Sequence, residues 1–186
     1  MSRTRDYILT ELLVLRTQQG DREAFGALVE LWQERLWLHA HALTDTGEQA
    51  WDAVQETWTA VVKGIGRLAE PAAFPRWAFR ILTHKAADQV RRRQAEREAQ
   101  QELAALAGTS ERRQGAPGAR VADLRDALAA LPAAARQLLA LHYAEGFTTA
   151  EVGQILGVPQ GTVKSRLHHA RRHLKRLMEE DDDDGR

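Results

Sequence analysis

Cysteine is absent from this chain of 186 residues, so disulfides, thiolate metal sites and thiol nucleophiles are excluded. No apolar run approaches the roughly 18 residues that a membrane-spanning helix needs. The opening stretch, MSRTRDYILTELLVLR, interleaves charge with its hydrophobics and has no small-residue cleavage site, so a secretory signal is not expected. Alternation of polar and apolar residues, the mark of half-buried strands, is missing along the whole chain. An excess of one charge is missing too: 26 Lys and Arg balance 26 Asp and Glu. The expectation is an all-α fold, two small helical domains joined by a flexible linker, in the cytoplasm, with no membrane insertion and no cofactor.

The zero net charge hides a segregation. From Val152 to Met178 there are six Lys or Arg and no Asp or Glu, and Glu179, Glu180 and Asp181 to Asp184 follow at once. This acidic tail, residues 179–186, cancels the basic stretch in the total; it reads as a solubilising end or as a competitor for the basic surface.

Thr148 to Met178 reads as two helices joined by a tight turn. Ala150, Val152, Ile155 and Leu156 give the first an apolar stripe at helical spacing. Gly157 suits the left-handed conformation that ends a helix, and Val158-Pro159 does not readily continue one. Gly153 is small where the two helices must approach. In the second helix Val163, Leu167, Ala170, Leu174 and Leu177 share one face, and Lys164, Arg166, His168, His169, Arg171, Arg172, Lys175 and Arg176 fill the others. The expectation is a helix-turn-helix whose second helix meets a polyanion through phosphate contacts. Base edges would then be met by Gln160, Thr162, Lys164, Ser165, Arg166, His168 or His169 near its start. His169 and His173 stand at a spacing that can hold a metal, but no carboxylate accompanies them within the helix and arginines surround them. Neither a metal site nor a catalytic site is expected.

Residues 1–93 form a first helical block. Asp21 has the look of an N-cap, and Phe25, Leu28, Val29, Trp32, Leu36 and His39 follow along one face. Glu48 to Val62 reads as an amphipathic helix with Ala50, Val54, Thr57, Trp58 and Val61 inside. A loop punctuated by Gly64, Gly66 and Pro71 leads to a long helix over Phe74 to Arg93. Residues 94–120 read as a linker, helical in its first half and a flexible tether in its second. From Val121 the periodicity resumes through Leu124, Leu128, Leu131, Leu138, Leu139, Leu141 and Tyr143, giving a second domain over 121–178.

Two features of the first block point to partners. The stretch AFPRWAFRILTHKAADQVRRRQ interleaves Phe74, Trp77 and Phe79 with Arg76, Arg80, Lys85, Arg91, Arg92 and Arg93. Rings for stacking and cations for phosphates suit single-stranded nucleic acid, although Trp77, Ile81 and Val90 suit a core equally. In WDAVQETWTAV, Asp52, Gln55, Glu56 and Thr59 make a polar, acidic strip, either idle in solvent or docked on a basic partner.

The order of these blocks resembles a minimal sigma factor of bacterial RNA polymerase, of the extracytoplasmic-function (ECF) group. GDREAFGALVELW is similar to the family's opening helix, WDAVQETW to its polymerase-gripping helix, and FPRWAFRILTHKAADQVRRR to the helix that reads the −10 element. LPAAARQLLALHYAEGFTTAEVGQILGVPQGTVKSRLHHARRHL is similar to the domain that reads the −35 element. The resemblance implies docking on core RNA polymerase through Asp52, Gln55 and Glu56. It implies contact with the melted −10 strand by Arg76, Trp77, Arg80, His84, Lys85, Arg91 and Arg92. It implies entry of Gln160 to Arg172 into the major groove of promoter DNA, and control by an anti-sigma protein. The family often has Asn at the place of His84, Leu at that of Ala78 and Ala at that of Gly153. The competing reading is a LuxR-like regulator that binds duplex DNA without polymerase.

Overall fold

The computed structural model describes residues 2–106, 127–128 and 130–183, and every regular element among them is helical. Helix α1 spans Ser2–Gln18, α2 Arg22–His41, α3 Gly47–Gly64 and α4 Phe74–Leu106. Two 3-10 turns, Ile65–Arg67 and Pro71–Ala73, connect α3 to α4. Further on come α5 (Ala133–Leu139) with a π-helical turn over Ala140–Ala144, α6 (Thr149–Leu156) and α7 (Gln160–Asp183).

Local chemistry sets the helix starts. The Asp21 carboxylate accepts the Ala24 N–H at 3.0 Å, and the Thr46 hydroxyl accepts that of Gln49 at 3.3 Å. Each thereby satisfies an N–H left without an intrahelical partner. Around Trp32, which is fully buried, pack Tyr7 of α1 and Phe74 and Phe79 of α4, all edge-on at 6.0–6.4 Å. The indole N–H of Trp32 donates to the Thr10 hydroxyl at 2.9 Å, which fastens α1 to α2 inside the core.

Several sequence expectations are met and others need adjusting. Leu28, Trp32, Leu36 and His39 of α2 are buried, as are Ala50, Val54, Thr57 and Val61 of α3. The first half of the linker is helical, as expected, but in one piece with α4, which runs past Arg93 to Leu106. Tyr143 is 55% exposed, not core, because the π-helical turn adds a residue to the helix and shifts the register after Leu141. Helix α7 runs on to Asp183, so the first acidic residues after Met178 continue it. Val121, Leu124, the half of the linker expected to be a tether and Asp184 to Arg186 lie outside the described residues. One apolar cluster runs through both halves of the chain, from Leu13 and Trp32 through Phe79 to Phe147, Val152 and Leu167.

Candidate functional site

The helix-turn-helix is built by its caps and two glycines. Thr148 and Glu151 form a capping box at the start of α6: the Thr148 hydroxyl accepts the Glu151 N–H, and the Glu151 carboxylate accepts the Thr148 N–H at 2.8 Å. Thr-x-x-Glu before an apolar run was a readable sign of this start. At the other end Gly157 adopts φ +67° and the Val158 N–H donates back to the Gly153 carbonyl. A Cβ on Gly153 would lie 2.8 Å from the Val158 carbonyl oxygen, so the turn closes tightly because this residue has no side chain.

Helix α7 buries Val163, Leu167 and Ala170 and leaves Lys164, Ser165, Arg166, His168, His169 and Arg172 exposed, with Thr162 half-buried. The Gln160 side-chain amide donates to the Thr149 hydroxyl at 2.8 Å, holding the first turn of α7 against α6. Arg166 and His169 turn towards α5 and line a shallow groove of about 380 Å³ with Ala134, Ala135, Leu138 and His173. Among the described residues no three His, Asp or Glu side chains converge as a metal site would require.

The cations of α4 separate into three directions, each set by helical spacing. Arg80 and His84 are exposed, and Arg91 pairs with Asp88 on the same open strip. Lys85 and Arg92 instead turn to α3, where their nitrogens approach the Glu56 carboxylate at 3.1 and 3.5 Å. They share an open groove of about 630 Å³ with Asp52, Gln55 and Glu56. The Lys85 ammonium, with help from Arg92, holds the Glu56 carboxyl below the usual carboxylate range against a smaller opposing effect of burial. Arg76 faces a third way, between the Glu70 carboxylate at 3.9 Å and Glu151 of α6 at 4.0 Å. Trp77 is half-buried over the end of α3, so close that a Cβ on Gly64 would lie 2.9 Å from its ring. The acidic strip and two of the expected strand-binding cations therefore line one groove. Asp88, which pairs with Arg91, was missed by sequence reasoning although it stands three residues before it.

Comparison with known proteins places this geometry. Residues 28–96 match the family described as Sigma-70 region 2, and residues 122–174 match Sigma-70, region 4. The chain is similar to the ECF RNA polymerase sigma factor SigM of Mycobacterium tuberculosis, with 31% identity covering 86% of this chain and 79% of that protein. It is 36% identical to SigL of the same organism over 78% of this chain and 83% of SigL. Among solved structures it is similar to the sigma factor RpoE of Bartonella quintana in complex with the anti-sigma factor NepR. That match has a TM-score of 0.65 and 26% identity, covering 83% of this chain and 96% of RpoE. Helix α3 and α4 as far as residue 96 lie in the first matched region, and α6 with α7 as far as residue 174 in the second. The chain belongs to the ECF sigma factors of bacterial RNA polymerase, and its work is promoter-specific initiation of transcription.

Proposed function

We propose that the groove between α3 and α4 is the polymerase-docking site, with Asp52, Gln55 and Glu56 as its contact residues. The observation that carries this reading is the convergence of the three on one open groove whose other wall is Lys85 and Arg92. A partner that fits must bring charges of both signs. Lys85 and Arg92 act here by holding Glu56 in place, which moves them from the DNA surface to the polymerase surface. The unpaired −10 strand then meets Arg80, His84 and Arg91 along the open strip of α4, with Arg76 and Trp77 at its margin. Duplex −35 DNA meets α7, through Gln160, Thr162, Lys164, Ser165, Arg166, His168, His169 and Arg172. Capture of unstacked bases by the first domain lowers the free energy of the melted state, so binding drives strand opening.

In this reading residues 1–93 and 121–178 act as separate domains with residues 94–120 between them. The protein works in the cytoplasm beside its polymerase and supplies no catalytic group, because phosphoryl transfer belongs to the polymerase. An anti-sigma protein is its inhibitor, a partner suggested by the complex of RpoE with NepR. The test of the docking site is charge reversal. Asp52→Lys with Glu56→Lys should abolish co-elution with core polymerase at unchanged helical content. Co-elution of that variant at wild-type affinity would refute it.

A further inference from the structure

Helix α1 is covered on one side only. Thr10, Leu13 and Val14 are buried there, where α1 meets α2, α4 and the two 3-10 turns. On the opposite side Ile8, Leu12 and Leu15 are 65%, 51% and 46% exposed. At about 3.6 residues per turn these three fall within roughly 60° of one another, facing away from the buried set. Leu9, also exposed, widens the stripe along one edge. A surface helix ordinarily turns its one apolar stripe to the core. In α1 the core has its own residues, and a second stripe is left over. Its spacing, four residues and then three, is that of a seam through which two helices pair.

The two edges of this stripe carry opposite charge. Glu11 stands on one edge, Arg5 and Arg16 on the other, and all three are exposed. Glu11 has no partner among the described residues. The pair of Arg16 with Asp21 engages Nε and Nη2 and leaves Nη1 without a partner among the described residues. When two such helices lie parallel across the seam, Glu11 of one copy faces Arg16 of the other, five residues on, and two-fold symmetry repeats the contact. Antiparallel pairing sets like edges together and forfeits both ion pairs.

We propose that α1 is a self-association surface: two copies of this chain pair in parallel through Ile8, Leu12 and Leu15, with Glu11 set against Arg16 across the seam. A helix of this size is marginal alone in water, so a free segment would have to be ordered at the moment of pairing. Helix α1 is already held by its buried side and by the Trp32 N–H on the Thr10 hydroxyl, so little ordering remains to oppose association. The seam is short, about 10 Å from Ile8 to Leu15, and the pairing is therefore weak and dependent on concentration. Exposed ion pairs add little affinity; here they select the direction. Asp52, Gln55 and Glu56 lie on α3, so pairing through α1 uses none of the docking residues.

Sedimentation equilibrium of the full chain tests this. Wild type should pass from the mass of one chain to that of two as concentration rises. Leu12→Glu should keep the mass of one chain throughout, at unchanged helical content, and should still co-elute with core polymerase. Glu11→Arg should raise the dimer dissociation constant several-fold, and adding Arg16→Glu should bring it back, because the charges then face each other in exchanged places. The absence of cysteine gives the direction a separate readout. Gln19→Cys sits exposed just past the end of α1, and parallel pairing brings the two thiols together to oxidise to a covalent dimer. A wild-type mass of one chain up to the solubility limit would overturn the pairing, as would a dimer that Leu12→Glu leaves intact. No cross-link in a dimer of Gln19→Cys would overturn the parallel direction, and no recovery on charge exchange would overturn the Glu11–Arg16 contact. Loss of polymerase binding by folded Leu12→Glu, in place of loss of a dimer, would assign the stripe to polymerase. Pelleting of monomeric wild type but not Leu12→Glu with anionic phospholipid vesicles would assign it to lipid.

Discussion

Trp32 takes an indole N–H into the core, and the Thr10 hydroxyl is its partner there at 2.9 Å. Replacing Thr10 by the isosteric Val removes the acceptor and leaves the donor buried. Thr10→Val should cost about 1–3 kcal/mol, read as a lower denaturation midpoint at unchanged slope. A midpoint within error of wild type would mean that water reaches the indole. His39 is the other buried group with a measurable signature. It is enclosed beside Phe79 with no hydrogen-bond partner, and burial pushes its pKa down from 6.5 to about 4. The unfolded chain takes up this proton near pH 6.5 and the folded chain only near pH 4. Between those values the unfolded state binds more protons, so stability falls as pH drops through that window. The full effect is about 3 kcal/mol. His39→Leu should flatten the stability profile between pH 6.5 and 4, and an unchanged slope there would show that the imidazole is reached by solvent. At this scale the sequence was only partly legible: spacing put His39 on the inner face of α2, but not that it would lack a partner.

Elements were legible where one face is apolar and the opposite face polar. Helices α3 and α7 have that pattern, and Gly157 and Pro159 punctuate the turn between α6 and α7. Helix α1 lacks it. Leu13 and Val14 are buried, yet Ile8, Leu9, Leu12 and Leu15 are 40–65% exposed, so apolar residues occur nearly all round and no inner face stands out. The division of cations along α4 was in the numbering and went unread: Lys85 and Arg92 are seven residues apart and point together to α3, whereas Arg80, His84 and Arg91 fall on another side. That division makes a prediction. Lys85→Ala and Arg92→Ala should weaken polymerase binding but leave capture of a pre-melted −10 strand by saturated holoenzyme unchanged. Loss of strand capture alone would return both residues to the DNA surface. For α7, Arg172→Ala should weaken −35 duplex binding and lower the slope of log affinity against log salt by about 1. A slope equal to that of wild type would place Arg172 away from the phosphates.

The whole molecule joins two helical units whose surfaces serve one promoter. Membership of a two-unit family was readable because the acidic strip, the aromatic and basic helix and the helix-turn-helix follow one another in a fixed order. Their packing together was not, because Phe79–Phe147 and Arg76–Glu151 join residues 68 and 75 positions apart in sequence and neither pair carries a local signal. The central claim is that this chain confers promoter choice on polymerase through the α3–α4 groove. The most direct measurement is run-off transcription from a pool of genomic promoters by core polymerase reconstituted with wild-type chain or with Asp52→Lys, Glu56→Lys. Wild type should form a stable complex and start transcripts downstream of a shared pair of elements, and the variant should yield neither complex nor transcripts while still binding duplex −35 DNA. Specific transcripts from the doubly reversed variant at wild-type yield would contradict the account.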